Sequence, residues 1–302
     1  MENFLGIFFN NILGLLFVPA LKNNIASGQL VFSQLVNVSS GFLTQDPASF
    51  NSEAWGVVEK MNGVLIGIGS TLVVIFFLIG FFEESVDPKQ ELRFEVVLKM
   101  FIKLAIAEFF VVNSLSIVRG AFGFVRYITN GLGLKLEMTI KEDYPTSFTS
   151  AIEHIVQGQN DIGLFTLLMS SLFAFVLIAC GVIILYQAFT RMIKILTLVP
   201  YGALANSTLS GNHTIKQTAV SFWKYALCTI LEAVTMLIAL AICVSLYNSS
   251  VISSVFHSVE NSFISTGTQD ILYWMLERVI YAITTCGVIK GASALTQRVL
   301  GL

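Results

Sequence analysis

Charge is what this sequence has least of. Lysine and arginine together number 17 and aspartate and glutamate 19, or 12% of 302 residues. A soluble domain carries roughly twice that fraction. Hydrophobic residues make up 55% of the chain, and its mean hydropathy is +0.78. A water-soluble fold is therefore excluded. The net charge of −2 gives no global attraction to nucleic acid. Histidine is scarce as well, and His154, His213 and His257 stand in separate loops without zinc-ligand spacing. Cys180, Cys228, Cys243 and Cys286 all fall inside apolar runs and form no CxxC. They read as packing residues rather than a disulfide framework. No GxSxG, HExxH or phosphate-loop motif occurs. The expectation is a protein that is not an enzyme and needs no cofactor and no metal.

Long apolar runs are what the chain does have, and a helical span needs about 20 such residues. Residues 63–82, 101–118, 162–188, 225–247 and 271–289 qualify. They predict an all-α integral membrane protein of about five transmembrane helices. Residues 1–21 (MENFLGIFFNNILGLLFVPAL) place Asn3, Gly6, Asn10 and Gly14 at helical spacing. This narrow polar stripe suits an amphipathic helix lying in the interface, with a short first span as the rival reading. Glu2 without any Lys or Arg argues against a secretory signal. Residues 22–54 read as a polar extracytoplasmic segment with short helices at most, and Trp55 stands where an interfacial anchor would. The predicted division is 1–54 for this amino-terminal part and 55–302 for the five-span domain, with a cytoplasmic hairpin at 189–224.

That hairpin is the centre of the chain. It carries Arg191, Lys194, Lys216 and Lys224 and no acidic residue, which places it inside by the positive-inside rule. Within it, residues 195–205 (ILTLVPYGALA) are too apolar for a solvated loop and too short to span. Pro200 and Gly202 should break the helix there. The piece then dips against the membrane or packs on a partner; an ordinary loop with some buried apolar residues is the alternative. Arg191, Lys194, Leu196, Leu198, Val199, Pro200 and Tyr201 are the candidate docking residues. Orientation by itself accounts for the basic ones, and nucleic-acid contact is the competing use.

Other candidates lie inside spans. Lys103, Glu108, Glu232, Glu277 and Arg278 are costly in lipid and should face protein or water. For Glu108 a hydrogen-bonded packing role competes with a functional one. Glu277 and Arg278 sit about 100° apart on a helix, so each wants a partner elsewhere. Gly63/Gly67 and Gly287/Gly291 form GxxxG pairs that permit close helix contact. Counting charges with the amino terminus outside and the carboxy terminus inside puts ten Lys and Arg residues inside. Six lie outside, namely Lys22, Lys60, Arg119, Arg126, Lys135 and Lys141, and Arg278 is left unassigned.

Residues 191–247 run RMIKI, LVPYGALAN, SGNHT, then KQTAVSFWKYALCTILEAVTMLIALAI. In that order, and in its span layout, the chain resembles the TrbL-type polytopic inner-membrane subunit of conjugative type IV secretion systems. The resemblance implies a bacterial cytoplasmic-membrane protein forming a homo-oligomeric ring or funnel. It further implies partner membrane subunits, separate ATPases that supply energy, surrounding lipid, and transient contact with the DNA or protein that crosses. A small-solute transporter or channel subunit is the alternative.

Overall fold

The computed structural model describes residues 2–86, 94–131, 160–249 and 266–301. Lys89, Arg93, residues 135–143, His154, Ser258 and most of the serine-rich loop at 248–269 lie outside them. So do the side chains of residues 2–18, and with them the amphipathic stripe read at the amino terminus. Every element described is helical: α1 (Glu2–Thr44), α2 (Pro47–Phe50), α3 (Ser52–Val86), α4 (Phe94–Val112), α5 (Ser114–Gly131), α6 (Asn160–Ser207), α7 (His213–Tyr247) and α8 (Thr266–Val299). A 3-10 turn, Thr208–Ser210, joins α6 to α7. Among the described residues, the helices long and apolar enough to cross a membrane number four, or five if the bent pair α4–α5 counts as one span.

The chain divides into two compact units. The first comprises Met1–Ser40, Leu136–Gln187 and Ile238–Gly291, and the second the remainder. In the first, α1 corrects the sequence reading: it is one helix of 43 residues, where residues 22–54 were expected to hold short helices at most. Two causes are visible. Leu21, Ile25, Phe32, Val36 and Leu43 are buried and recur at helical spacing through the polar segment. The intervening serines return their hydroxyls to their own helix: Ser33 to the Leu30 carbonyl at 2.8 Å and Ser39 to that of Leu35 at 2.6 Å. A serine satisfied in this way does not pull the chain out of a helix.

The remaining packing of this unit is close. Asn24 donates to Ser170 Oγ at 3.4 Å, and a Cβ on Gly28 would stand 2.7 Å from the Ala174 backbone. The rings of Phe32 and Tyr247 lie 5.7 Å apart, and Cys286 donates to the Cys180 carbonyl at 3.2 Å. All four cysteines are free and buried.

In the second unit, Asn51 caps α3 by accepting from the Glu53 and Ala54 amides at 3.0 and 2.9 Å. α3 and α4 run antiparallel. Asn62 meets Ser114 at 3.2 Å, Ser70 meets Glu108 at 2.7 Å, and the Phe77 and Phe101 rings lie 5.5 Å apart. The predicted span 101–118 is not straight, because α4 and α5 meet at 68°. Asn113 stands at that corner and donates its side-chain amide to the Phe109 carbonyl at 2.9 Å, competing with the helical ladder. α5 then lays Val118, Phe122, Val125 and Thr129 inward. Trp55 is buried against its own chain. Its indole donates to Glu59 at 2.7 Å, and Arg119 covers the ring at 4.8 Å.

Candidate functional site

The hairpin is built differently from the sequence reading. α6 runs unbroken for 48 residues with Pro200 inside it, about 72 Å at 1.5 Å per residue. Pro200 offers no N–H to the Leu196 carbonyl, yet the helix holds. Its neighbours explain this. Ile195, Val199 and Ala203 are buried, and Ala203 belongs to a core with Val73, Ala107 and Val111. In a span, neighbouring helices hold a proline-containing turn in place. The end of α6 therefore packs on its own chain. A Cβ on Gly69 of α3 would stand 3.0 Å from the Ala203 carbonyl oxygen. Ser210 donates to the Val73 carbonyl at 2.9 Å, and Asn212 to Glu83 at 2.6 Å. Residues 195–205 thus lie alongside the apolar stretch of α3.

One residue clasps the hairpin. Asn206, fully buried, donates to the Phe110 carbonyl of α4 at 2.9 Å and accepts from the Trp223 indole of α7 at 2.7 Å. Sequence reasoning missed it. An asparagine at the end of an apolar helix reads as the start of a loop. Asn206→Leu leaves two half-buried partners without their hydrogen bonds, each costing up to about 1–3 kcal/mol. The thermal midpoint of the purified protein in detergent should fall by several degrees. An unchanged midpoint would mean that other groups satisfy both atoms.

Arg191 is the second surprise. It is 3% exposed, donating Nε to the Thr229 carbonyl at 3.2 Å and Nη2 to that of Ile230 at 3.1 Å. It was expected in a basic loop, and instead it holds α6 to α7. Glu232 is buried one turn further along α7, in the field of Lys194 and Arg191 and beside Ser293 of α8. A small cavity of about 90 Å³ brings Arg191 together with Asp46, Arg119 and Arg126. Arg191 was counted inside, and Arg119 and Arg126 outside. Lining one cavity, they share a level, and that part of the charge count is corrected. The count treats each cation as a loop residue and is blind to the turn at Asn113.

The other candidates separate. Glu108 is half-buried and accepts from Ser70, while Lys103 is exposed. Glu277 and Arg278 are buried in the first unit, where Arg278 lies over the Tyr247 and Trp274 rings at 4.7 and 5.5 Å. Of the docking residues, Val199 and Pro200 are buried within their own unit and unavailable to a partner. Leu196 and Leu198 are half-buried, and Lys194 and Tyr201 are exposed. A Cβ on Gly63, Gly67, Gly287 or Gly291 would meet nothing within 4 Å, so neither GxxxG pair makes a close contact among the described residues. The close approaches among the described glycines are at Gly28, Gly69, Gly181 and Gly211.

Among the described residues no three His, Cys, Asp or Glu converge on a metal position. The polar groups described in the second unit bind helix to helix. No curated protein and no solved structure matches the chain. A family model does match, over residues 32–203, and its description is TrbL/VirB6 plasmid conjugal transfer like protein. That match covers more than half of the chain, from the middle of α1 to the buried end of α6, and the protein belongs to the TrbL/VirB6 plasmid conjugal transfer-like family.

Proposed function

We propose that this family member is a non-enzymatic subunit of the membrane translocation channel of a conjugation or type IV secretion apparatus. In this reading its α6–α7 hairpin is a rigid docking element for another subunit or an associated ATPase. The observation that carries the reading is the exposed face of α6. Ile193, Lys194, Thr197 and Tyr201 follow one another at helical spacing on the outside of a segment otherwise buried. Tyr201 is 55% exposed. A tyrosine with a neighbouring cation on a stiff helix suits a protein contact better than a purely lipid one. Gly63, Gly67, Gly287 and Gly291, open within the chain, would serve contacts between copies in a homo-oligomer.

The test replaces Tyr201 and Leu198 by Ser. Conjugal transfer should fall at least a hundredfold with membrane insertion and protein level intact. Lys194→Gln with Lys216→Gln should cost less than tenfold. The reverse pattern would replace docking by a basic mouth that touches the translocated polymer. The orientation, amino terminus outside and carboxy terminus inside, is part of the same proposal and is read by cysteine labelling at position 258 from either side.

The transporter alternative asks for Glu108, Glu232 and Arg278 along one pathway. Glu108 and Glu232 belong to the second unit and Arg278 to the first, so nothing observed favours it.

A further inference from the structure

Arg278 is the one buried guanidinium of the first unit whose nitrogens stay unsatisfied. It is 9% exposed, and neither its Nε nor its Nη1 finds a hydrogen-bond partner. Arg191 in the second unit shows the contrast, with two carbonyls bound. The same unit holds two further buried donors. The Tyr281 hydroxyl, one turn further along α8, has no partner. Neither has the Tyr247 hydroxyl, toward which Gln29 turns without closing a hydrogen bond. Unmet buried donors cost about 1–3 kcal/mol each, more when charged. The stacking of Arg278 on the Tyr247 ring at 4.7 Å brings its unmet nitrogens near that hydroxyl, a place where an anion would be stabilised.

Depth and surroundings identify the anion. Side chains on a helix lean toward its amino-terminal end. Arg278 does so, because its guanidinium lies over Trp274, one turn earlier. That draws the charge back toward Ile271, where the candidate span begins, and toward Tyr247, where α7 ends. Trp and Tyr at the end of a span mark headgroup level. Beside this cluster an apolar groove of about 360 Å³ opens between Phe165, Met169 and Phe173 of α6 and Met275, Leu276 and Val279 of α8. Its size is that of a small-ligand site. Phe173 lines the groove and packs on Trp274 at 6.1 Å, and Trp274 carries Arg278. The cation is thus linked to the acyl-sized groove through the Trp274–Phe173 contact, although neither Arg278 nor Trp274 lines the groove itself.

We propose that Arg278, with the hydroxyls of Tyr247 and Tyr281, binds the phosphate of an anionic phospholipid whose acyl chain lies in the α6–α8 groove. Basic pockets between membrane helices hold such headgroups elsewhere by the same physics. The site does not rest on the secretion reading.

The full-length protein in nanodiscs tests it. Phosphatidylglycerol discs should raise the thermal midpoint by several degrees over phosphatidylcholine discs, and native mass spectrometry should show retained phosphatidylglycerol. R278Q should lose the difference and at least tenfold of the retained lipid. Equal midpoints in both lipids, or an undiminished difference in R278Q, would overturn the proposal. So would inorganic phosphate reproducing the shift in phosphatidylcholine discs, since the anion would then be free rather than lipid-borne. Should R278Q fail to fold, L276W decides: it fills the groove from an exposed position. Retention down at least tenfold supports the site, and unchanged retention overturns it.

Discussion

Arg191→Met should be among the most damaging single replacements in this chain. The guanidinium is buried, it donates to two carbonyls of α7, and Glu232 lies buried nearby. Removing one member of a buried charge cluster costs about 3–5 kcal/mol, because the opposite charge is left without compensation. A membrane unit that loses this much should unfold at a temperature lower by ten degrees or more and should accumulate poorly. The sharper test is the cycle. Glu232→Leu alone should also destabilise, but Arg191→Met with Glu232→Leu should cost clearly less than the sum, since neither charge is then stranded. Thermal unfolding of the three variants in one detergent reads the coupling. Additive costs would mean that Arg191 acts only through its carbonyl bonds and that Glu232 answers to Lys194 alone.

Gly28→Val should be comparably severe, for a steric reason. Even a first methyl group would stand 2.7 Å from Ala174 Cα and 2.9 Å from its Cβ. Neither neighbour is the far end of a flexible chain, so α1 and α6 must part. Overpacking of this kind costs about 1–3 kcal/mol, and more where backbone must move. The control lies on α3. Gly67→Val, with nothing within 4 Å, should leave the isolated protein as stable as before. Its effect, if Gly67 serves contacts between copies, should appear only in the mass of the assembly. A stable Gly28→Val protein with an unchanged melting profile would show that α1 does not pack on α6 as closely as described.

These two sites show where the sequence was legible. Span length and scarce charge give the helical membrane class from residues 63–82 and 225–247 alone, and the order of motifs in 191–247 points to the right family. The glycine contacts were read from GxxxG spacing, but a glycine matters only where another helix arrives. Single-chain spacing cannot tell Gly67, which is open, from Gly69, which meets Ala203. Pro200 and Arg191 were taken as helix-ending and solvent-seeking because those are their average habits. A better signal was present. Ile184, Ala188, Met192, Ile195, Val199 and Ala203 recur every three or four residues and are all buried. That stripe passes straight through Arg191 and Pro200, and burial on one continuous face outweighs the propensity of either residue. Asn206 could not have been read at all. Its value lies in Phe110 and Trp223, neither a near neighbour in sequence.

The serines of α1 have a bearing on how the protein is made. Because Ser33 and Ser39 satisfy their hydroxyls on their own backbone, the second half of α1 is a competent helix before it has anything to pack on. Its packing partners come far later: Asn24 meets Ser170, 146 residues further along. At roughly 5–20 residues per second of translation, about 7–30 s pass between the emergence of one and the other. During that interval Ile25, Phe32 and Val36 have no α6 to cover them, and their helix is too polar to be held in the bilayer as an ordinary span. α1 is thus made well before α6 and seated only with it, and its place depends on segments the ribosome has yet to release.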